Sequence, residues 1–497
     1  MVLQQPTPAN RVLSGVPGLD EVLCGGFIEG HSYLMVGEAG TGKTILGLQW
    51  LRDGVARGER VLYVTLAEPE TEIRANAAAF GWDLQGIEFA DLSRSGISHE
   101  AGDYQVFAPS EVERAPLWQG IAERISQSQP RRVVLDSLTQ LRYLSADAFQ
   151  FRKQVLALVT FLNERHCTAL LAFEPDELAR EASAALAVNG VFRLRSEISP
   201  AFATGLRSIQ VQKMRGSDFL SGLHPLRLDG RGHAIFPHRV ERIDTAAPGR
   251  ERFCTGIFEL DSLLGGGLES GTTTLVSGPA GTGKSTLGTH FLARQAPRHR
   301  SIVFTFEESI TLLVNRARDT GAPIDAAMAD GSVVVERINP LQFYPDEFLA
   351  RVRHEVEREG RSLVMIDSLR GYAFAMEEFG DARAHIHNLV AYLTRRGVTT
   401  LLVSEIEHIT GPNLVATGMG ISHLADNILL MRYADDVGRV MKVISCLKKR
   451  GGDFEAELRE LRITGSGLRV GAKLQRMRGV LSGAPASTAA AVGGSFR

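Results

Sequence analysis

The chain has 497 residues, more than one core usually organises, so two or more domains are expected. With 44% hydrophobic and 23% charged residues and a net charge of −2, it has the composition of a soluble globular protein and no overall basic field for nucleic acid or an anionic membrane. Its four cysteines, Cys24, Cys167, Cys254 and Cys446, are too scattered for metal spacing or a disulfide framework, and no apolar run reaches the length of a membrane span; a reduced, cytoplasmic protein is expected.

Residues 1–10 are polar and proline-containing, without the apolar stretch of a signal peptide, and a flexible terminus is expected there. The first recognisable element is an apolar strand, Tyr33-Leu34-Met35-Val36, which runs into Gly37-Glu38-Ala39-Gly40-Thr41-Gly42-Lys43-Thr44. That octet fits the phosphate-binding pattern G-x-x-x-x-G-K-[ST]. Gly37, Gly40 and Gly42 let the backbone around Thr41 fold into a nest of N–H donors facing phosphate oxygens. Lys43 is placed to reach the β/γ-phosphates, and the Thr44 hydroxyl to bind Mg²⁺. Ile45, Leu46, Leu48 and Leu51 then continue as the apolar face of a helix. A second buried strand, Val61–Leu66, leads to Glu68, and a third, Arg132–Leu135, ends in Asp136, the carboxylate expected to hold Mg²⁺ through water. Thr168–Glu174 is a further apolar strand, and Lys213-Met214-Arg215-Gly216 places two cations on one face of a late one. The stretch 238–252, with Thr245-Ala246-Ala247-Pro248-Gly249 inside it, reads as a linker.

After the linker the chain says the same things again. Gly15 to Lys43 answers Gly256 to Lys284 at a constant offset of 241 residues (15 to 256, 43 to 284), and the second phosphate loop is Gly278-Pro279-Ala280-Gly281-Thr282-Gly283-Lys284-Ser285. Gly278, Gly281, Thr282, Gly283, Lys284 and Ser285 take the phosphate and Mg²⁺ roles of the first copy. Asp367 answers Asp136, and the strand-end glutamates Glu174 and Glu405 follow 38 residues later in both halves (136 to 174, 367 to 405). Lys448-Lys449-Arg450-Gly451 repeats the late basic element. Apolar strands alternating with helical segments make the fold class α/β, each half a mostly parallel sheet flanked by helices. The expected domains are 11–244 and 253–475, joined by a linker at 245–252 and followed by a small-residue tail, 476–497, expected to be disordered.

The halves differ where the chemistry should be set. Phosphoryl transfer to water needs a carboxylate to orient or deprotonate the nucleophile. In the second half the strand ends Thr305-Phe306-Glu307-Glu308, and two adjacent carboxylates, costly as neighbours, point to catalysis beside a phosphate. The first half reads Thr65-Leu66-Ala67-Glu68-Pro69, so only Glu68 remains. Both halves are expected to bind Mg-ATP, with most turnover in the second.

These motifs carry a resemblance to the KaiC family of RecA-like ATPases, from about Arg11 to Val470: the Gly18-Leu19-Asp20 lead-in with Gly25-Gly26, Phe80-Gly81-Trp82-Asp83-Leu84, Thr305-Phe306-Glu307-Glu308, Ile366-Asp367-Ser368-Leu369 and both Lys-x-Arg-Gly elements. The resemblance implies tandem RecA-like phosphate-loop NTPase domains in a two-tiered hexamer with ATP between neighbouring subunits. It also implies a general base within the glutamate pair, and Lys213, Arg215, Lys448 and Arg450 sensing the γ-phosphate in trans. In the family's clock protein the second domain also phosphorylates itself on an adjacent serine and threonine. Here Ser422 matches the serine, His423 stands in place of the threonine, and Thr417 lies near a further family hydroxyl, which leaves single-site transfer to Ser422 as the expectation. The tail has no evident match to the family's regulatory C-terminus. Unidentified regulatory or signalling proteins are the implied partners.

Two other functions share the phosphate loops. A nucleotide-gated signalling scaffold would bind ATP with little turnover, and Ala67 favours it for the first half. A RecA-like recombinase or helicase would need basic, aromatic DNA-gripping loops, and the candidate stretch 371–380 is aromatic but acidic.

Overall fold

The computed structural model describes residues 10–93, 114–143, 145, 147–174, 182–199, 205–240, 251–339, 343–376, 379, 381–406, 420–436, 439–474, 477–478 and 486–487. The chain divides into two compact units, Met1–Arg239 and Val240–Arg497.

The first unit is built on a nine-stranded sheet of β1 (Ser32–Val36), β2 (Val61–Thr65), β3 (Glu88–Asp91), β4 (Arg132–Asp136), β5 (Thr168–Phe173), β6 (Gly190–Ile198), β7 (Gly205–Met214), β8 (His224–Asp229) and β9 (Gly232–Ile235), in the order β9-β8-β7-β6-β1-β5-β4-β2-β3. From β6 to β3 the pairing is parallel, and β7, β8 and β9 add antiparallel strands at the other edge. The central strands are apolar on both faces because helices cover both. Alternation sends Tyr33, Met35 and Tyr63 to one core with Leu46, Trp50 and Leu51 of the helix Lys43–Ala56. Leu34, Val36, Leu62 and Val64 go to the other, with Phe151, Val155 and Leu162 of the helix Ala148–Glu164.

The second unit repeats this plan with β10 (Thr273–Gly278), β11 (Ser301–Thr305), β12 (Val333–Arg337), β13 (Leu363–Asp367), β14 (Thr399–Glu405), β15 (Asn427–Asp436), β16 (Arg439–Lys449), β17 (Arg459–Thr464) and β18 (Gly467–Lys473), in the order β12-β11-β13-β14-β10-β15-β16-β17-β18. The expected fold class holds in both halves: two mostly parallel sheets flanked by helices. Register is what positions the site. Thr65 lies opposite Asp136 and Thr305 opposite Asp367, so the tips of neighbouring strands end level beside the phosphate loop that follows the central strand.

The stretch weighed as a DNA-gripping loop begins instead as a helix, Leu369–Met376, in which Tyr372 is a core residue packed on Phe306 and Phe348; Glu377 and Glu378 lie outside the described residues. Most of the linker and tail also lies outside them, although Met477–Arg478 pairs with Ala486–Ser487. Among the described residues no helix is long and apolar enough to cross a membrane.

One buried cation ties the first unit's loop-bearing helix to the strand that ends in Asp136. The Arg132 side chain is fully buried, donates to Trp50 O at 2.8 Å and Asp53 Oδ2 at 3.1 Å, and pairs with Glu59. Arg132→Ala removes the one fully buried cation that Asp53, Glu59 and Trp50 O share, leaving Asp53 and Glu59 only exposed partners, and is expected to cost about 3 kcal/mol. A denaturant titration checks it: the unfolding midpoint should drop clearly, whereas Arg57→Ala, which removes an exposed pair to the same Asp53, should move it far less.

Candidate functional sites at the two phosphate loops

Both loops turn on glycine. Gly42 and Gly283 precede their helices with φ of 92° and 103°, and a Cβ would lie 2.6 Å from His233 Nε2 or 2.2 Å from Ile463 Cδ1. Gly40 and Gly281 also have positive φ, while Gly37 and Gly278 lie tight against Leu194 and Met431. Thr41 and Thr282 close the turns by donating to Glu38 O and Pro279 O at 2.8 and 2.9 Å. No side chain caps the helices that start at Lys43 and Lys284. Each first turn therefore offers free N–H donors at the positive end of a helix dipole, an anion site by construction.

The lysines lie inside that cradle. Lys43 Nζ donates to Gly37 O at 2.6 Å and Glu38 O at 3.0 Å, and pairs with Glu174 at 3.0 Å. Lys284 Nζ donates to Pro279 O at 2.8 Å; burial lowers its pKa, against the pull of Glu405, Asp367 and Glu307. Next to each lysine a hydroxyl meets a strand-end carboxylate: Thr44 Oγ1 donates to Asp136 Oδ2 at 2.7 Å, and Ser285 bonds Asp367, whose pKa is raised chiefly by burial. This set of hard oxygen donors fits Mg²⁺. Among the described residues no group of three or more His, Cys, Asp or Glu side chains forms a cage, so an ion held here would take its remaining ligands from water and a bound phosphate.

The glutamates can now be aligned by contact. The amide after each strand donates to the neighbouring strand-end residue (Leu66 N to Asp136 O, 2.7 Å; Phe306 N to Asp367 O, 2.8 Å). The strand-end threonines donate to Glu68 O and Glu308 O. Glu68 therefore corresponds to Glu308, and Ala67 to Glu307. Glu307 Oε1 accepts from Ser368 Oγ at 3.1 Å, while Glu308 is held by Arg316 Nη1 at 2.6 Å. In the first unit Asn76 stands where Arg316 stands in the second, on the wall of a cavity of about 620 Å³ shared by Lys43, Thr44, Glu68 and Asp136. Burial, then Asp136 and Glu72, raises the pKa of Glu68.

The four late cations do not reach their own chain's loops in any described contact. Lys213 Nζ donates to Ala185 O and Val188 O, both at 2.7 Å, and Arg215 to Leu186 O at 3.3 Å. Lys448 donates to Ala425 O at 2.6 Å and Ser422 O at 3.3 Å, and Arg450 to His423 O at 2.9 Å and Asp426 Oδ1 at 3.2 Å. Both pairs thus grip the segment that precedes β6 or β15, and Ala185 takes the place of Ser422 in the first unit. Ser422 is half-buried there; Thr417 lies outside the described residues.

Several site residues escape a reading of motifs. Tyr63 donates to Asp136 Oδ2 at 2.7 Å from one strand over, and burial keeps its hydroxyl protonated. His233, with a pKa pushed down to about 4 mainly by burial, is a neutral donor to Gly42 O at 2.9 Å from 191 residues away. Neither has a local signal. Glu174 and Glu405 did have one, their recurrence at equal spacing after the strand-end aspartates.

A family profile described as the KaiC ATPase matches residues 12–240 and 253–475. The chain is 28% identical to the circadian clock protein KaiC3 of Synechocystis sp. over 98% of its own length and 97% of that protein. It is 27% identical to the circadian clock oscillator protein KaiC of Prochlorococcus marinus, covering 96% and 95% of the two chains. The corresponding protein of Parasynechococcus marenigrum is 26% identical over 96% and 93%.

The contrast between the aligned glutamates has a thermodynamic consequence. Ionised Glu68 is disfavoured by its surroundings, so its contribution to stability falls as pH rises through its raised pKa. Glu68→Gln should therefore stabilise the nucleotide-free chain at pH 8, and the gain should shrink as pH falls, because protonation removes the charge that burial disfavours. Glu308→Gln breaks the pair with Arg316 and should destabilise it at pH 8. Scanning calorimetry of both variants at pH 8 and pH 4.5 reads the opposite signs.

Proposed function

The chain belongs to the KaiC family of ATPases, and on that premise we propose that it binds and hydrolyses Mg-ATP at both phosphate loops, held at the subunit boundaries of a hexameric ring. The observation that carries this reading is the repeated pairing of a loop hydroxyl with a strand-end carboxylate beside a buried lysine. Loop N–H groups and Lys43 or Lys284 bind the β- and γ-phosphates; Thr44 with Asp136, and Ser285 with Asp367, hold Mg²⁺. When bound, the ion neutralises charge on the phosphate oxygens. Glu307, with Glu308 in support, takes the proton of the attacking water in the second site. Ala67 leaves Glu68 alone in the first, which favours a slow, ATP-held assembly clamp there. Arg215 and Arg450 are exposed, as cations serving a neighbouring subunit's phosphate would have to be. Ser422 is the acceptor for autophosphorylation by the second domain. The relatives' clock names favour signalling or clock-like regulation as the output; a cytoplasmic protein with regulatory proteins rather than nucleic acid as partners completes the proposal.

Phosphate release tests the assignment. Losing a positioned base costs about 10²–10⁴-fold, so Glu307→Gln with Glu308→Gln should abolish most turnover and Glu68→Gln should leave most of it; the reverse ranking assigns the working domain to the first half.

Native mass measurement should show a hexamer that depends on ATP, because ligand binding at a boundary favours the assembled form. Lys43→Ala should weaken it more than Lys284→Ala. A monomer that ignores nucleotide contradicts the ring. Phosphopeptide mapping after incubation with Mg-ATP should find Ser422 modified; no modification at Ser422 or Thr417 removes the kinase activity from the proposal.

A further inference from the structure

We propose that the second unit carries a further binding site, a basic cleft in which Arg252, Arg294 and Arg298 take a small ligand by its phosphate groups. It is separate from the phosphate loop and does not depend on hydrolysis there.

The cleft lies between the short strand Arg252–Phe253, paired with Leu268–Glu269, and the end of the helix Lys284–Gln295. That helix begins at the phosphate loop and has 12 residues, so about 18 Å of helix separates the two sites. The cleft's volume of about 420 Å³ is that of a small-molecule site. Its two walls are tied together without a ligand: Gln295 Nε2 donates to Cys254 O at 2.8 Å, and the Phe253 and His299 rings meet edge to face at 4.8 Å. Among the described residues that line it Glu251 is the one carboxylate, and it faces His299 Nε2 at 3.2 Å. Arg252 is held by Gly265 O at 2.8 Å, with Glu269 at 3.8 Å. Arg294 and Arg298 are exposed and have no hydrogen bond or ion pair among the described residues.

The internal repeat shows that the fold does not require these charges. A Cβ on Gly15 would lie 2.3 Å from Asp53 Cβ, and one on Gly256 would lie 2.8 Å from Arg294 Nε, so Asp53 and Arg294 hold equivalent places. Asp53 is matched by Arg57 at 2.7 Å and Arg132 at 3.1 Å. Strand register puts Leu363 where Arg132 stands, since Val61 lies opposite Arg132 and Ser301 opposite Leu363. The last turn of a helix favours cations, yet the first unit places Asp53 there, so the helix dipole does not account for Arg294. The first unit closes this corner with ion pairs, and the second leaves guanidiniums facing a cavity. A carboxylate offers two oxygens in one plane, whereas a phosphate offers oxygens in three directions and suits guanidiniums reaching in from separate elements. Phe253 is buried, so it presents no face on which a base could stack, and recognition falls to the phosphates.

Cys254, in the wall of the cleft, serves as the reporter. It and Cys24 are exposed while Cys167 and Cys446 are buried, so alkylation of the nucleotide-free Cys24→Ser chain by the neutral reagent N-ethylmaleimide reads the cleft. Protection is the ratio of rates without and with ligand for the same variant. Tripolyphosphate in EDTA should slow alkylation by about fivefold or more at saturation, and ADP should protect as well, because phosphates alone are read. Sodium chloride and citrate at equal ionic strength should have little effect. Protection should survive Lys43→Ala combined with Lys284→Ala, which empties the phosphate loops. It should be lost in Arg294→Asp, the residue of the first unit, and in Arg298→Ala, both changes at exposed positions that the fold tolerates. Protection that disappears with the loop lysines, persists in both arginine variants, is matched by chloride or citrate, or comes from ADP alone overturns the proposal.

Discussion

Each candidate site depends on one hydrogen bond between elements far apart in sequence, from the hydroxyl that opens a helix to the carboxylate that ends a strand. Thr44 and Asp136 are 92 residues apart, yet meet at 2.7 Å because β1 and β4 are separated by a single strand of the same parallel sheet and end level. Had register slipped by one residue, Asp136 would point to the other face and the contact would be lost. The alternating apolar faces of the central strands therefore do more than fill two cores. They fix which side chain stands at the strand tip, and the buried Arg132 anchors the same helix at its far end.

Around that common frame the two units distribute charge differently. The first surrounds Asp136 with neutral donors, Thr44 and Tyr63, and leaves Glu68 without a cationic partner among the described residues. The second replaces Tyr63 with Val303, gains Glu307, and adds Arg316 against Glu308. The repeat keeps the loop lysine, its neighbouring hydroxyl and the strand-end aspartate in both units, and differs in the glutamates and their neighbours.

The cations of the two Lys-x-Arg elements follow the same logic at the other side of each sheet. Lys213 and Arg215, and likewise Lys448 and Arg450, hold backbone carbonyls of the segment that enters the preceding strand, β6 or β15. In the second unit that segment carries Ser422, so the element links a basic strand end to a hydroxyl whose counterpart in the first unit is Ala185.

The sequence by itself determined the duplicated α/β fold, both phosphate loops and the strand-end aspartates, because each is written in local terms: an apolar run of strand length, glycines where φ must be positive, a hydroxyl after a lysine. It also showed the glutamate difference, since the halves align without gaps from Thr65 to Glu68 and Thr305 to Glu308. Tertiary structure alone decided what each of those glutamates meets: Ser368 at Glu307 and Arg316 at Glu308. Arg316 lies on the next helix and Tyr63 on a neighbouring strand, and His233 comes from the far edge of the sheet. A side chain's charge state follows from what surrounds it in space, and spacing along a chain does not encode that distance.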